Sequence, residues 1–214
     1  MRKRTWLLVC SAPVAPLLII AGCASFPDEP KTRQIAETMV SDAYSSTSPA
    51  FRGRVNQDRS QQICSKIAGA KLTQQEAAEV VSLARASIKY PASGKLVGDW
   101  KAGAKLAYNG QGGRILGGKP EKSKVNGGLC SNCHALAPKE FNVGNIGPSL
   151  TGYGAQRGHS EAVAKLTYER IYNGWAYAPC SNMPRLGTNG HLTPEQITHL
   201  VAYLIDSQSP VNKK

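Results

Sequence analysis

Cys130-Ser131-Asn132-Cys133-His134 is the stretch on which the reading of this chain turns. Two thiols at i and i+3, with a histidine directly after the second, have the spacing with which a polypeptide attaches c-type haem. Each thiol can add to one vinyl group of the porphyrin, and the histidine reaches the iron on the proximal side. The spacing is therefore a covalent template. Three other readings compete. A zinc ribbon needs a second CxxC pair, and the other cysteines (Cys10, Cys23, Cys64 and Cys180) are single and far apart. A thioredoxin-like redox pair needs a βαβ surround, which is absent. A chance match sits poorly with helical patterns on both sides.

The sixth iron ligand has to come from elsewhere in the chain. Asn182-Met183-Pro184-Arg185 lies downstream, after one helical pattern and before the last. A lone methionine is usually core filler, but one in a polar loop before proline has little reason to be core. Met183 is the expected ligand. His159, His191 and His199 are its rivals, each placed beside a helix start or within the last helix, and Cys180 is close enough in sequence to stay among them. Methionine–histidine ligation raises the potential of a haem, which suits an electron acceptor or carrier.

The patterns around this centre are helical. Thr73-Gln74-Gln75-Glu76 forms a capping box ahead of Ala77, Val80, Val81, Ala84 and Ile88, and Pro91 ends the run. A short helix is expected from Asp99 to Tyr108 with Trp100, Ala104 and Ala107 as its apolar face. Ser160 caps a helix to about Asn173, with Val163, Leu166 and Ile171 inward, and Gly174 as its stop. Thr193-Pro194-Glu195-Gln196 opens the last helix, where Ile197, Leu200, Val201 and Leu204 recur at i, i+3, i+4 and i+7. Residues 110–128 form a Gly/Lys-rich loop, and Lys31 to Ala43 carries one weak helix. No segment sustains period-2 alternation, so the expected class is all-α. At 214 residues the chain is one to one and a half domains. Its 41% hydrophobic content is too high for a disordered chain and too low for a multi-pass membrane protein.

The N-terminus reads as an export signal. Arg2, Lys3 and Arg4 precede an uncharged, mostly apolar stretch at 5–21. The stretch closes on Leu18-Ile19-Ile20-Ala21-Gly22-Cys23, which resembles a bacterial lipobox with Cys23 as the lipidated first residue of the mature chain. Ordinary cleavage after Ala24 and a retained membrane helix are the alternatives, the latter weakened by Pro13 and Pro16. Each of these readings exports the protein. The expected location is the periplasm, with Ala24 after the lipidated cysteine favouring the outer membrane.

Further runs carry a resemblance. Gly147-Pro148-Ser149-Leu150-Thr151-Gly152 looks like the GPxLxG loop of class I cytochromes c, in which the proline carbonyl accepts a hydrogen bond from the proximal histidine. That role falls here on Pro148, which would fix the His134 ring. More particularly, residues 55–213 resemble the SoxX family, the small haem subunits of SoxAX thiosulfate-oxidising cytochromes. The matching runs include Gly98-Asp99-Trp100-Lys101, Gly144-Asn145-Ile146-Gly147-Pro148, Cys180-Ser181-Asn182-Met183-Pro184-Arg185-Leu186-Gly187 and Ser209-Pro210-Val211-Asn212-Lys213. The lipobox is a departure, because SoxX proteins are usually soluble.

The resemblance implies a class I cytochrome c fold with one covalent haem and an N-terminal helical extension. The expected organisation is a leader at 1–22, a polar tether at 23–63, the extension at 64–97 and the cytochrome c domain at 98–214. It also implies a SoxA-like partner subunit. Together the two would join thiosulfate oxidatively to a cysteine of a sulfur-carrier protein, an L-cysteine S-thiosulfotransferase reaction. The bond-forming site is attributed to the partner, and this chain would accept the electrons and pass them to a soluble cytochrome. Neither a nucleophile–base pair nor an acid–base pair in this sequence argues otherwise.

Two observations complete the reading. Once leader, lipid and haem are assigned, Cys64 and Cys180 remain, and an exported chain rarely keeps two free thiols. A disulfide between them is expected, against the alternative of two independently buried thiols; both lie in stretches that resemble SoxX. The chain carries 26 Lys+Arg against 14 Asp+Glu. No nucleic-acid motif accompanies that charge. Arg114, Lys119, Lys122 and Lys124, just ahead of Cys130, are either a solvated loop or a docking surface for an acidic acceptor cytochrome.

Overall fold

The computed structural model describes residues 29–46, 52, 55–66, 71–112, 115–116, 119–120, 125–140 and 143–213. The leader at 1–22 and Cys23 lie outside the described residues, as do Arg114, Lys122 and Lys124. The chain divides into two units, Met1–Ser45 and Ser46–Lys214. The first contains helix α1 (Glu29–Ala43), the weak helix expected from Lys31 onward; its Ile35 and Met39 are exposed.

The second unit is built from short capped helices. Helix α2 (Arg59–Ser65) starts at a reciprocal capping box: Gln61 N–H donates to Asp58 Oδ1 at 2.9 Å, and Asp58 N–H donates to Gln61 Oε1 at 3.0 Å. Helix α3 (Gln74–Ala86) begins at the Thr73/Glu76 box and buries Val80 and Ala84. Helix α4 (Trp100–Tyr108), capped by Asp99, buries Gly103, Leu106 and Ala107. The buried face is thus rotated from the expected one, with Trp100 and Ala104 at its half-buried edges. Helices α5 (Tyr153–Arg157), α6 (Glu161–Tyr172) and α7 (Pro194–Ile205) complete the set. In α6 the inward side chains are Ala164, Thr167, Tyr168, Ile171 and Tyr172, while Val163 and Leu166 are half-buried.

Helices α4 and α7 form the frame. A Cβ at Gly103 would lie 2.0 Å from the His199 carbonyl oxygen, so only glycine lets the two backbones approach this closely. Around that crossing Leu106, Leu136, Tyr168, Ile197, Leu200 and Tyr203 are buried. Side chains of this size stabilise a fold by roughly 1.5–3 kcal/mol each when fully buried.

Among the described residues strand is confined to one antiparallel ladder, Ile115–Leu116 against Lys119–Pro120, inside the Gly/Lys-rich loop. The all-α class stands with that small hairpin added. The boundary expected at 63/64 falls inside α2, whose Ser60 and Ile63 are buried, so the polar tether gives way to packed chain earlier than composition suggested.

Candidate haem site

The CxxCH stretch forms a tight turn rather than a long helix. A 3₁₀ turn spans Cys130–Asn132, and both Cys133 N–H and His134 N–H donate to the Cys130 carbonyl, at 3.1 and 2.9 Å. Leu129, immediately before it, has φ 42°, a left-handed conformation uncommon outside glycine. That bend leads the chain from the Gly/Lys-rich loop into the turn that carries the cysteines.

The GNIGPSL loop lies along the turn like a second strand. Gly144 N–H donates to Ser131 O at 2.9 Å, Gly147 N–H to Cys133 O at 2.8 Å and Leu150 N–H to Ala135 O at 2.8 Å. A Cβ at Gly147 would sit 2.2 Å from His134 Cε1, so the imidazole packs on bare backbone there. His134 Nδ1 lies 2.7 Å from Pro148 O. A carbonyl oxygen only accepts, so Nδ1 carries the proton and Nε2 keeps its lone pair, the form that binds a metal.

The donor set fits haem. Cys130 and Cys133 are the free thiols among the described residues. Burial pushes the Cys130 thiol up to about 11, opposite to the lowered value of a reactive CxxC redox pair. Among the described residues no three His, Cys, Asp or Glu side chains gather as a metal cluster.

Each rival for the sixth position is engaged in a bond of its own. His199 Nδ1 accepts the Asp99 N–H at 2.9 Å, so its remaining nitrogen carries a proton. His191 Nε2 donates to Gly127 O at 2.8 Å, and His159 Nδ1 donates to Ile205 O. Cys180 is bonded to Cys64, with Cα atoms 5.4 Å apart. Met183 has no such commitment; it is half-buried against the core, and a Cβ on Gly174 would stand 3.5 Å from its Sδ.

The loop that presents Met183 is stitched to the N-terminal segment. Arg185 is buried, 6% exposed, and pairs with Asp58 at 2.7 Å. Its Cζ lies 4.6 Å from the centre of the Trp175 ring, and Trp175 Nε1–H donates to Ser181 O at 2.8 Å. Asn173 Nδ2 donates to Ser87 Oγ and Thr188 Oγ1, both at 3.0 Å. Tyr90 and Tyr177 both donate to Glu169. Burial together with that carboxylate raises each phenol to about 12, so both stay protonated donors at neutral pH. Asp58, Arg185 and Trp175 escaped the sequence reading. The Asp58/Gln61 capping pair was the available signal for α2; nothing in the sequence marks Arg185 as buried.

Residues 123–207 match the family model described as cytochrome c. The chain carries a cytochrome c domain. A relative from Aquifex aeolicus (strain VF5), described as an uncharacterized lipoprotein, is 41% identical over 178 residues, covering 83% of this chain and 84% of the relative. The cytochrome has the class I fold, carries haem c covalently, and is an electron-carrier domain. The family match begins at residue 123 and leaves out α2, α3 and α4, so the disulfide and the Asp58 contact join the matched region to a preceding segment outside it. Among the described residues no helix is long and apolar enough to cross a membrane.

Proposed function

We propose that this cytochrome is the haem subunit of a SoxAX-type complex, with thioethers at Cys130 and Cys133, axial ligation by His134 and Met183, and one haem in all. The observation that carries the reading is the Cys180–Gly187 run, whose resemblance to SoxX reaches well beyond the CxxCH and GPxLxG signatures of any cytochrome c. In the overall reaction a sulfur–sulfur bond forms between thiosulfate and a carrier-protein cysteine. The thiol proton is released, and two electrons leave. Bound haem would supply a one-electron Fe(III)/Fe(II) couple, so the two electrons would pass through it one at a time, with reoxidation by the acceptor cytochrome between them. The bond-forming chemistry belongs to the SoxA-like partner. This chain's residues would hold the group: the Pro148 carbonyl fixes the His134 tautomer, and Met183 would supply the second ligand from its own loop. An acidic cytochrome would take the electrons onward, steered by the basic loop around Lys119; neither step involves nucleic acid.

The test is reduction of the oxidised holoprotein by thiosulfate and the sulfur-carrier protein, followed by visible absorbance. Reduction only when a SoxA-like subunit is added, together with copurification of that subunit, is the expected result. A holoprotein that ignores this system but is reduced by another dehydrogenase would replace the reading with that of a stand-alone, lipid-anchored electron carrier. The Aquifex relative's description as a lipoprotein supports the anchor in both cases.

The anchor has its own test. Buried acyl methylenes contribute about 0.8 kcal/mol each, so several chains on one cysteine hold a protein on a membrane essentially permanently. Cys23→Ser is expected to move the protein from the membrane fraction, outer membrane in particular, to the soluble periplasmic fraction. A variant that stays fully membrane-bound would refute lipidation at Cys23.

A further inference from the structure

We propose that the Arg185–Asp58 ion pair is a positioning device that keeps Met183 on the iron and shuts that coordination position to outside ligands. This rests on the reading of Met183 as the sixth ligand. Both flanks of Met183 are fastened to the two ends of one short helix. Cys180 is bonded to Cys64 near the C-terminal end of α2. Arg185 is paired at 2.7 Å with Asp58, the residue that caps the N-terminal end of α2. Only Ser181, Asn182, Met183 and Pro184 lie between the two fastenings.

Each element of the second fastening is itself held. The Arg185 side chain is 7% exposed, so its charge depends on Asp58 and on the Trp175 face at 4.6 Å. The Asp58 carboxylate uses Oδ2 for Arg185 and Oδ1 for the Gln61 N–H, which stops it swinging away. Trp175 in turn grips the Ser181 carbonyl on the other side of Met183. Cys180 has φ 61°, a conformation that a non-glycine residue keeps only when its surroundings impose it.

A methionine ligand is displaced more readily when the loop that carries it can move. Fastening both flanks to the same helix stabilises the closed arrangement. An external ligand must then compete with that closure, so its apparent affinity falls in proportion to how strongly the closed loop is favoured. Releasing one flank makes the open arrangement more populated and the iron more accessible. Arginine suits this place because its planar fork meets a carboxylate while its face stacks on an indole.

The experiment uses the oxidised holoprotein and imidazole as the probe ligand. Asp58→Asn is informative because asparagine caps a helix as well as aspartate does, so α2 survives while the charge is lost. Arg185→Gln removes the other partner without leaving a buried charge. Each variant is expected to bind imidazole about tenfold more tightly, the change produced by a tenfold weaker loop closure. The near-infrared sulfur–iron band should weaken in parallel. Arg185→Lys keeps the charge but loses fork and stacking, and should fall between. Variants that melt at lower temperature yet bind imidazole like the parent would overturn the proposal, leaving the pair a merely structural contact. Failure of the ligand reading looks different: a Met183→Ala protein that keeps the parental near-infrared band removes the ligand itself, and the proposal with it.

Discussion

Met183→Ala is expected to leave haem attached, abolish the near-infrared sulfur–iron band and lower the midpoint potential by on the order of 0.1 V, within the ~0.8 V range that axial ligation spans. The attachment would not depend on Met183, because the proposed thioethers are at Cys130 and Cys133. The proximal side does not depend on it either: the His134–Pro148 bond at 2.7 Å and the three backbone bonds of the GNIGPSL loop lie on other elements. The fold should persist as well, since Met183 is only half-buried and the core is carried by α4, α6 and α7. A partly buried methionine cut to alanine costs about 2 kcal/mol, the low end of the range for buried methionines. The potential falls because a thioether favours the ferrous state, and water or a weak ligand in its place does not. An unchanged spectrum and potential would sink the assignment and return the histidine rivals to contention.

The sequence made the proximal half of this site legible in full and the distal half only in part. CxxCH and GPxLxG are local patterns in which chemistry dictates residue types at fixed spacing. The Pro148 carbonyl therefore lies where the motif predicts it. The frame was legible for a similar reason: Thr73, Asp99, Ser160 and Thr193 all cap helices from which they could be read. Helix α2 was missed because seven residues hold too few turns for a hydrophobic period to show. Helix α5, with five residues, failed for the same reason. The place of Arg185 was hidden for a different reason. Arginine is ordinarily exposed, and only the tertiary placement of Asp58 and Trp175 makes its burial tolerable. Which helix closes over the methionine loop is a long-range fact that no local pattern encodes. The two cysteines gave the one sequence clue to it.

That clue supports the second large effect. Cys64→Ser combined with Cys180→Ser is expected to destabilise the holoprotein by about 4–5 kcal/mol in the chain-entropy account of disulfides. The figure follows from a bond that closes a sequence separation of 116 residues, so its loss gives the unfolded chain a large gain in freedom. For a unit of this size the melting temperature should fall by roughly 10–20 °C. Part of the effect should be local. Without the bond, α2 keeps the Asp58–Arg185 pair but loses its hold on residue 180, where the backbone sits at φ 61°. Relaxation there frees the segment leading into Met183, so imidazole should bind more tightly than in the parent even well below the melting transition. The single variant Cys64→Ser should go further, because it leaves the Cys180 thiol close to Met183 in sequence as a competing sulfur donor. Two measurements decide the matter. Thiol titration of the denatured, unreduced holoprotein should find no reactive thiol, and two would mean that Cys64 and Cys180 are not bonded. A double variant that melts within a degree or two of the parent would show that the staple contributes little, and that the methionine loop is held by Arg185 and Trp175 alone.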